Sequence, residues 1–242
     1  MFLKQLLKLQ SATTLLLIQA VFLGLLLGTG FITPETVVFG YFFETIIVGV
    51  IHILKLFLVI KHGEKDKSDP NSISGYGMIV FFLFHYGMFV AIQLIFAFSF
   101  FIDTIEGIKS GFQLIHNIGV LLEANGMGFM LGSLLLTNLG YFYSNFWVPY
   151  KYKEYAPSEI FFTPYVRIFI QQFVVILSGF FFVFLNAGLV ASALLLVFRL
   201  FVDLLMFQIK QDSVFLNMLA VKLAKKGQDP KVVRQQLEKL SE

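Results

Sequence analysis

The segment YFFETIIVGVIHILKLFLVI, residues 41–60, is apolar enough to cross a bilayer except at Glu44, His52 and Lys55. A run of about 20 apolar residues matches the hydrocarbon thickness of a membrane. A charge at the centre of that layer costs about 2.5–3.5 kcal/mol on insertion scales, so such groups point into a bundle or a cavity and pair there. At about 100° per residue, Glu44 and Lys55 project about 20° apart, with His52 about 80° away. One side of this helix is therefore polar and cannot face lipid. Its partners must come from other segments.

Outward from this stretch, apolar runs of similar length predict an all-α, polytopic membrane bundle of six transmembrane helices. They run approximately from Ala12 to Ile32, Thr36 to Ile60, Gly77 to Ile102, Met127 to Trp147, Pro164 to Phe184 and Leu189 to Ile209. Composition agrees. The chain is 57% hydrophobic and 14% charged, against about 25% charged in soluble domains. There is no cysteine, which excludes a disulfide framework and a thiolate metal site. The net charge of +3 sits in loops and tails, where it serves topology. No nucleic-acid partner is expected. The start of the chain has the basic residues of a signal peptide, Lys4 and Lys8, but its apolar run is too long for one, so an uncleaved first helix is expected. No internal repeat is evident, which disfavours an inverted-repeat transporter.

Lysine and arginine set the orientation. They mark the first tail (Lys4, Lys8), the second loop (Lys61, Lys65, Lys67), the fourth loop (Lys151, Lys153) and the tail from Lys210 to Lys239, while the opposite loops hold only Lys109. Both termini are expected to be cytoplasmic. Loop three, SGFQLIHNIGVLLEANG, predicts an amphipathic helix at the outer interface or a re-entrant hairpin, with His116 solvated. Residues 1–209 form the bundle and 210–242 a basic, amphipathic helical tail. In that tail Ser213 starts a helix ending near Gly227, and Asp229-Pro230 starts another. Leu216, Leu219 and Leu223 are expected on one face, lying on the inner leaflet, covering the bundle or docking a protein partner.

Partners for the charged helix stand in spans three to six. They are His85, Asn138, Arg167 with Gln171 and Gln172, and Arg199 with Asp203 one turn apart. At 1.5 Å per residue, His52, His85, Asn138, Gln171 and Asp203 fall about 10 Å from the cytoplasmic edge. Glu44 and Arg199 lie nearer the midplane, Arg167 and Lys55 nearer the inner boundary. This layer predicts a hydrated pocket in the cytoplasmic half. Structural alternatives stand beside it: an Arg199–Asp203 or Arg167–Asp203 pair fixing register, a satisfied core histidine at His85, and Lys55 reaching the interface.

The elements YFFETIIVGVIHILKL, FFLFHYGMF, TNLGYFYSNF, FTPYVRI and FRLFVDLL, in this order, resemble an uncharacterised bacterial multi-pass membrane family, a domain of unknown function. The resemblance covers spans two to six and implies a bacterial inner (plasma) membrane location. Glu44, His85, Arg167 and Asp203 match its pattern, and Asn138 and Gln172 stand where the family tends to have histidine. It implies a shared polar site, histidine-rich and metal-binding in some members. Asparagine and glutamine are poor ligands for zinc or iron. The metal candidates left are Glu44, His52, His85 and Asp203, which lack a tight spacing motif.

Three functions follow as expectations. The first is binding or moving a small anionic molecule or ion with a proton link, Glu44 and His85 exchanging protons and Arg167 and Arg199 holding the anion. The second is an intramembrane enzyme acting on a lipid or lipid-linked substrate, with Glu44 or His85 as catalytic acid or base. No nucleophile elbow or phosphate loop accompanies it. The third is an accessory or assembly subunit docking a partner through its basic tail.

Overall fold

The computed structural model describes residues 11–64, 74–102, 104–165, 168, 169, 176, 188–211, 213–224 and 229–234, and among them there is no strand. The helices are α1 (Ser11–Gly28), α2 (Pro34–His62), α3 (Tyr76–Phe100), α4 (Leu114–Leu122), α5 (Met127–Phe142), α6 (Pro157–Ile160), α7 (Gly188–Gln211) and α8 (Ser213–Leu223). A π-helical turn, Tyr143–Trp147, continues α5. Among the described residues two helices, α2 and α3, are long and apolar enough to cross a membrane, and α4 with α5 makes a third if that bent pair is one span. The expected fifth span lies mostly outside the described residues, and α1 is a shorter apolar helix.

Helix α2 is the central post, and its ends follow from local chemistry. Thr33 accepts a hydrogen bond from the Thr36 backbone N–H, Pro34 opens the first turn and Glu35 faces the positive end of the dipole. At the other end Lys61 and His62 complement the dipole, and the Gly63 N–H closes on the Val59 carbonyl at 2.7 Å. Every residue from Thr36 to Thr45 is buried, so this half of α2 is surrounded on all sides. Further along, Ile46, Val50, Leu54 and Phe57 form an exposed apolar stripe.

The neighbours of α2 are α3, α5 and α7. On α3 the buried stripe Met78, Phe82, Tyr86, Val90 and Leu94 faces inward, while Leu83, Phe84, Met88, Ile92 and Phe96 are exposed. An aromatic layer joins the two helices: Phe39 stacks on Phe98 at 5.3 Å and meets Phe101 edge-on at 5.1 Å. Tyr86 donates to the Thr45 carbonyl at 2.6 Å, and its ring fills the space where a Cβ on Gly49 would lie. Replacing Tyr86 by phenylalanine is expected to cost about 1 kcal/mol, read as a lowered midpoint of unfolding in detergent. An unchanged midpoint would mean the carbonyl is satisfied elsewhere.

Loop three contains the helix anticipated there. Helix α4 meets the α5 segment at 97°. His116 is exposed with Nε2 3.0 Å from the Gly107 carbonyl, and Asn117 is buried, donating to the Ser110 carbonyl at 2.8 Å. The bend is tied to α2 by Thr36, whose hydroxyl donates to the Asn125 carbonyl at 3.0 Å. Beside it, the Ser192 hydroxyl donates to the Pro34 carbonyl at 3.2 Å and fixes the start of α7.

In the tail Leu216 and Ala220 are buried, whereas Leu223 is exposed and the Leu219 side chain lies outside the described residues. Asp229 caps the second helical segment by accepting from the Lys231 N–H at 2.9 Å, and Arg234 returns to α8 with a 2.9 Å bond to Asn217.

Candidate functional site

Glu44 sits in the fully surrounded half of α2 and is 1% exposed. Its carboxylate is met from two helices. The Arg199 guanidinium on α7 grips both oxygens, Nη1 on Oε2 and Nη2 on Oε1. The Asn138 side chain on α5 donates to Oε1 at 2.6 Å and, through the same nitrogen, to the Leu134 carbonyl at 2.9 Å. Arg199 also directs Nε at Asp203 Oδ2, 3.3 Å away, one turn along its own helix. Its flat face lies over the Tyr41 ring at 4.5 Å. A parallel fork between guanidinium and carboxylate is the strongest of the charge-assisted pairings, and the aromatic face adds a cation–π contribution. Arg199 and Asp203 side chains are 10% and 12% exposed, so little solvent screens the group.

Three helices thus converge on one cluster of Tyr41, Glu44, Asn138, Arg199 and Asp203. The depth ordering read from sequence had set Glu44 and Arg199 apart from Asn138 and Asp203, and the structure joins all four. Tyr41 is the member that sequence reasoning passed over. Its signal was available, since it precedes Glu44 by three residues and so shares its face.

His52 and Lys55 belong to a separate station about two and three turns further along α2, about 12 and 16 Å from Glu44 along the axis. The His52 ring is 3% exposed and packs on Phe82 at 4.9 Å. Its Nε2 is buried with no hydrogen-bond partner among the described residues. The Lys55 ammonium lies over the Phe146 ring at 4.9 Å, within the π-helical turn that ends α5. Such turns recur at functional sites because they re-aim side chains within a helix.

His85 is not part of either group. It lies on an exposed flank of α3, stacked on Phe81, with Nδ1 2.9 Å from the Tyr165 hydroxyl. The α3 face turned toward α2 is occupied by Phe82 and Tyr86, which leaves His85 beside that face. Arg167, Gln171 and Gln172 lie outside the described residues. Among the described residues, no group of three or more His, Asp or Glu side chains is placed to hold a metal. The four candidate donors are dispersed: Glu44 and Asp203 share Arg199, His52 is two turns away, and His85 faces outward.

The cluster can present a guanidinium to an anion if a carboxylate lets go. No curated protein and no solved structure matches the chain. The model of DUF6498, a family of unknown function, matches residues 3–225, and the chain belongs to this family.

Proposed function

We propose that the chain is a multi-pass protein of six membrane spans in a bacterial inner membrane, with both termini cytoplasmic, that binds or moves a small anion together with a proton. The observation that carries this reading is the fork between Glu44 and Arg199. A guanidinium fork is the usual receptor for a carboxylate or phosphate oxygen pair, and here Glu44 occupies the receptor face. A proton taken up by Glu44 removes its charge and weakens its hold on Arg199. An anion then takes the guanidinium, with Asn138 free to donate to either group. Loss of the proton lets Glu44 reclaim Arg199 and expel the anion. One proton and one anion enter and leave together, so the cycle moves no net charge into the apolar layer.

Acetate or inorganic phosphate, added to the purified chain in detergent, is expected to raise the unfolding midpoint. Glu44→Gln keeps the shape and a hydrogen-bonding oxygen but not the charge. It is expected to bind the anion about tenfold more tightly than the parent, or about 1.4 kcal/mol. Absence of any anion effect in both proteins would sink the proposal.

One contact supports a second reading, an intramembrane enzyme acting on a lipid or lipid-linked substrate. The His85–Tyr165 pair stands on an exposed face where a lipid could reach it, and the imidazole could serve as acid or base. That reading requires His85→Ala to abolish turnover while leaving anion binding at Arg199 unchanged.

A further inference from the structure

The chain has one tryptophan, Trp147, and it stands where α2 and α5 end together. Helix α5 runs out into the π-helical turn Tyr143–Trp147, and a 3-10 turn, Lys151–Lys153, follows. The end of α2 closes against the same loop. The Glu64 N–H donates to the Tyr155 carbonyl at 3.1 Å, and the His62 ring meets Tyr152 edge-on at 5.8 Å. Tyr152 is buried and carries two exposed rings, Trp147 at 5.8 Å and Tyr150 at 5.9 Å. Val148, between them in sequence, is exposed as well. At the end of a membrane span, tryptophan and tyrosine settle with the apolar body toward the acyl chains and the polar edge toward the headgroups.

A cation is built into the same surface. Tyr150 is the one non-glycine residue with a positive φ among the described residues, +57°. A side chain in that left-handed region is held against its own sterics, which marks the turn as specified rather than incidental. Tyr150 opens the 3-10 turn, the Lys153 N–H donates to its carbonyl at 2.9 Å, and the Lys153 ammonium lies over its ring at 4.9 Å. An exposed contact of that kind is weak, so the ammonium can turn to a stronger partner. Lys153 is exposed and makes no ion pair among the described residues. Between Tyr143 and Tyr155 the chain sets Lys151 and Lys153 against Glu154 alone. Rings suited to a headgroup layer, with a cation on one of them, complement a negatively charged lipid surface. A zwitterionic lipid offers the same phosphate with a cation beside it, so the surface selects for net negative charge.

We propose that the turn from Trp147 to Lys153 docks an anionic phospholipid at the membrane surface, with the Trp147 and Tyr150 rings in the headgroup layer and Lys153 on the lipid phosphate. The proposal rests on the membrane-spanning reading above but not on anion binding at Arg199. It gives the lipid a hold on the π-helical turn, whose Phe146 ring lies under the Lys55 ammonium.

Because Trp147 is the chain's one tryptophan, its fluorescence reports on this surface alone. Extraction of the source membranes with carbonate comes first. Release of the chain at that stage would overturn the membrane reading and this proposal together. The retained, full chain is then placed in phosphatidylcholine vesicles holding a rising fraction of phosphatidylglycerol with brominated acyl chains, or of phosphatidylcholine brominated in the same way. The brominated phosphatidylglycerol is expected to quench Trp147 as though enriched about fivefold beside it, the worth of one lysine at an anionic surface. Lys153→Gln alters an exposed side chain and should bring the two lipids to equal quenching. Lys109→Gln, in loop three, should leave the preference intact. Equal quenching by both lipids in the parent, or an undiminished preference in Lys153→Gln, would overturn the proposal while leaving the membrane reading in place. So would a Trp147 that neither lipid quenches, and its shielding from aqueous iodide in that case would give the surface to a protein.

Discussion

Replacing Glu44 by leucine is expected to destabilise the chain by about 1.5–3 kcal/mol, the worth of hydrogen bonds to a charged group, because the Arg199 guanidinium loses its fork and keeps the contact to Asp203. Arg199 is held where it stands. Its side chain is 10% exposed and cannot turn to solvent without undoing the contact with Tyr41 and the bond to Asp203. Asn138 would keep its bond to the Leu134 carbonyl but lose the Glu44 oxygen. The loss should be strongly coupled. Arg199→Met alone leaves two carboxylates without the guanidinium that joins them and should cost a similar amount. In the Glu44→Leu background the same change should cost less, because the fork is already broken. Denaturant unfolding in mixed micelles, run as a double-mutant cycle, measures this. Additive losses would mean that Glu44 and Arg199 do not act on each other, and the fork would cease to be the basis for any function. The contrast with Glu44→Gln matters here. Glutamine keeps a hydrogen-bonding group in place, so its effect on anion binding can be read without collapse of the cluster.

The helix boundaries were largely legible in the sequence, and the site only in part. For α2, Thr33, Pro34 and Glu35 announce the start and Lys61, His62 and Gly63 the end, so the span expected from Thr36 to Ile60 lies within Pro34–His62. The α4 helix and its break were signalled by polar residues spaced along an apolar loop and by Asn125-Gly126. The number of spans was less accessible, because a hydropathy run records apolarity and not whether a helix crosses or bends. Partner choice within the site depends on two coordinates, depth along the axis and direction around it. Depth alone grouped His85 and His52 with Asn138 and Asp203. Direction separates them, since Phe82 and Tyr86 take the inward face of α3 and the Glu44 face of α2 meets α5 and α7. Arginine and glutamate also have long side chains, which bring together residues whose backbones stand at different depths. In the tail, spacing sets Leu216 and Leu223 on one face, and spacing alone does not say that Leu216, with Ala220, is buried while Leu223 is exposed.

Gly126→Val should rank with the loss of Glu44, for a wholly different reason. Gly126 has φ +74°, in the left-handed region that β-branched residues avoid. That conformation alone costs about 1–2 kcal/mol for a residue with a Cβ. The space is also taken. A Cβ would lie 2.8 Å from the Phe31 carbonyl oxygen and against the Ile32 side chain, and backbone cannot move aside as a side-chain tip can. Overpacking of this kind adds about 1–3 kcal/mol, giving an expected loss of about 2–5 kcal/mol in all. Gly132→Ala supplies the opposite case on the same helix. It has open space and a helical backbone, so alanine should stabilise by about 0.5–1 kcal/mol. Unfolding midpoints of the two variants, measured side by side, decide whether the Gly126 junction is rigid. If valine at 126 is tolerated as well as alanine at 132, the 97° bend is not fixed by this contact. The consequence reaches the charged cluster, because α5 is held at the bend and carries Asn138 to Glu44 at its other end. A variant that survives but relaxes the bend should therefore also alter the anion binding proposed above, although residue 126 lies at the far end of α5 from Asn138. Unaltered binding in such a variant would show that the cluster is positioned by α2 and α7 alone.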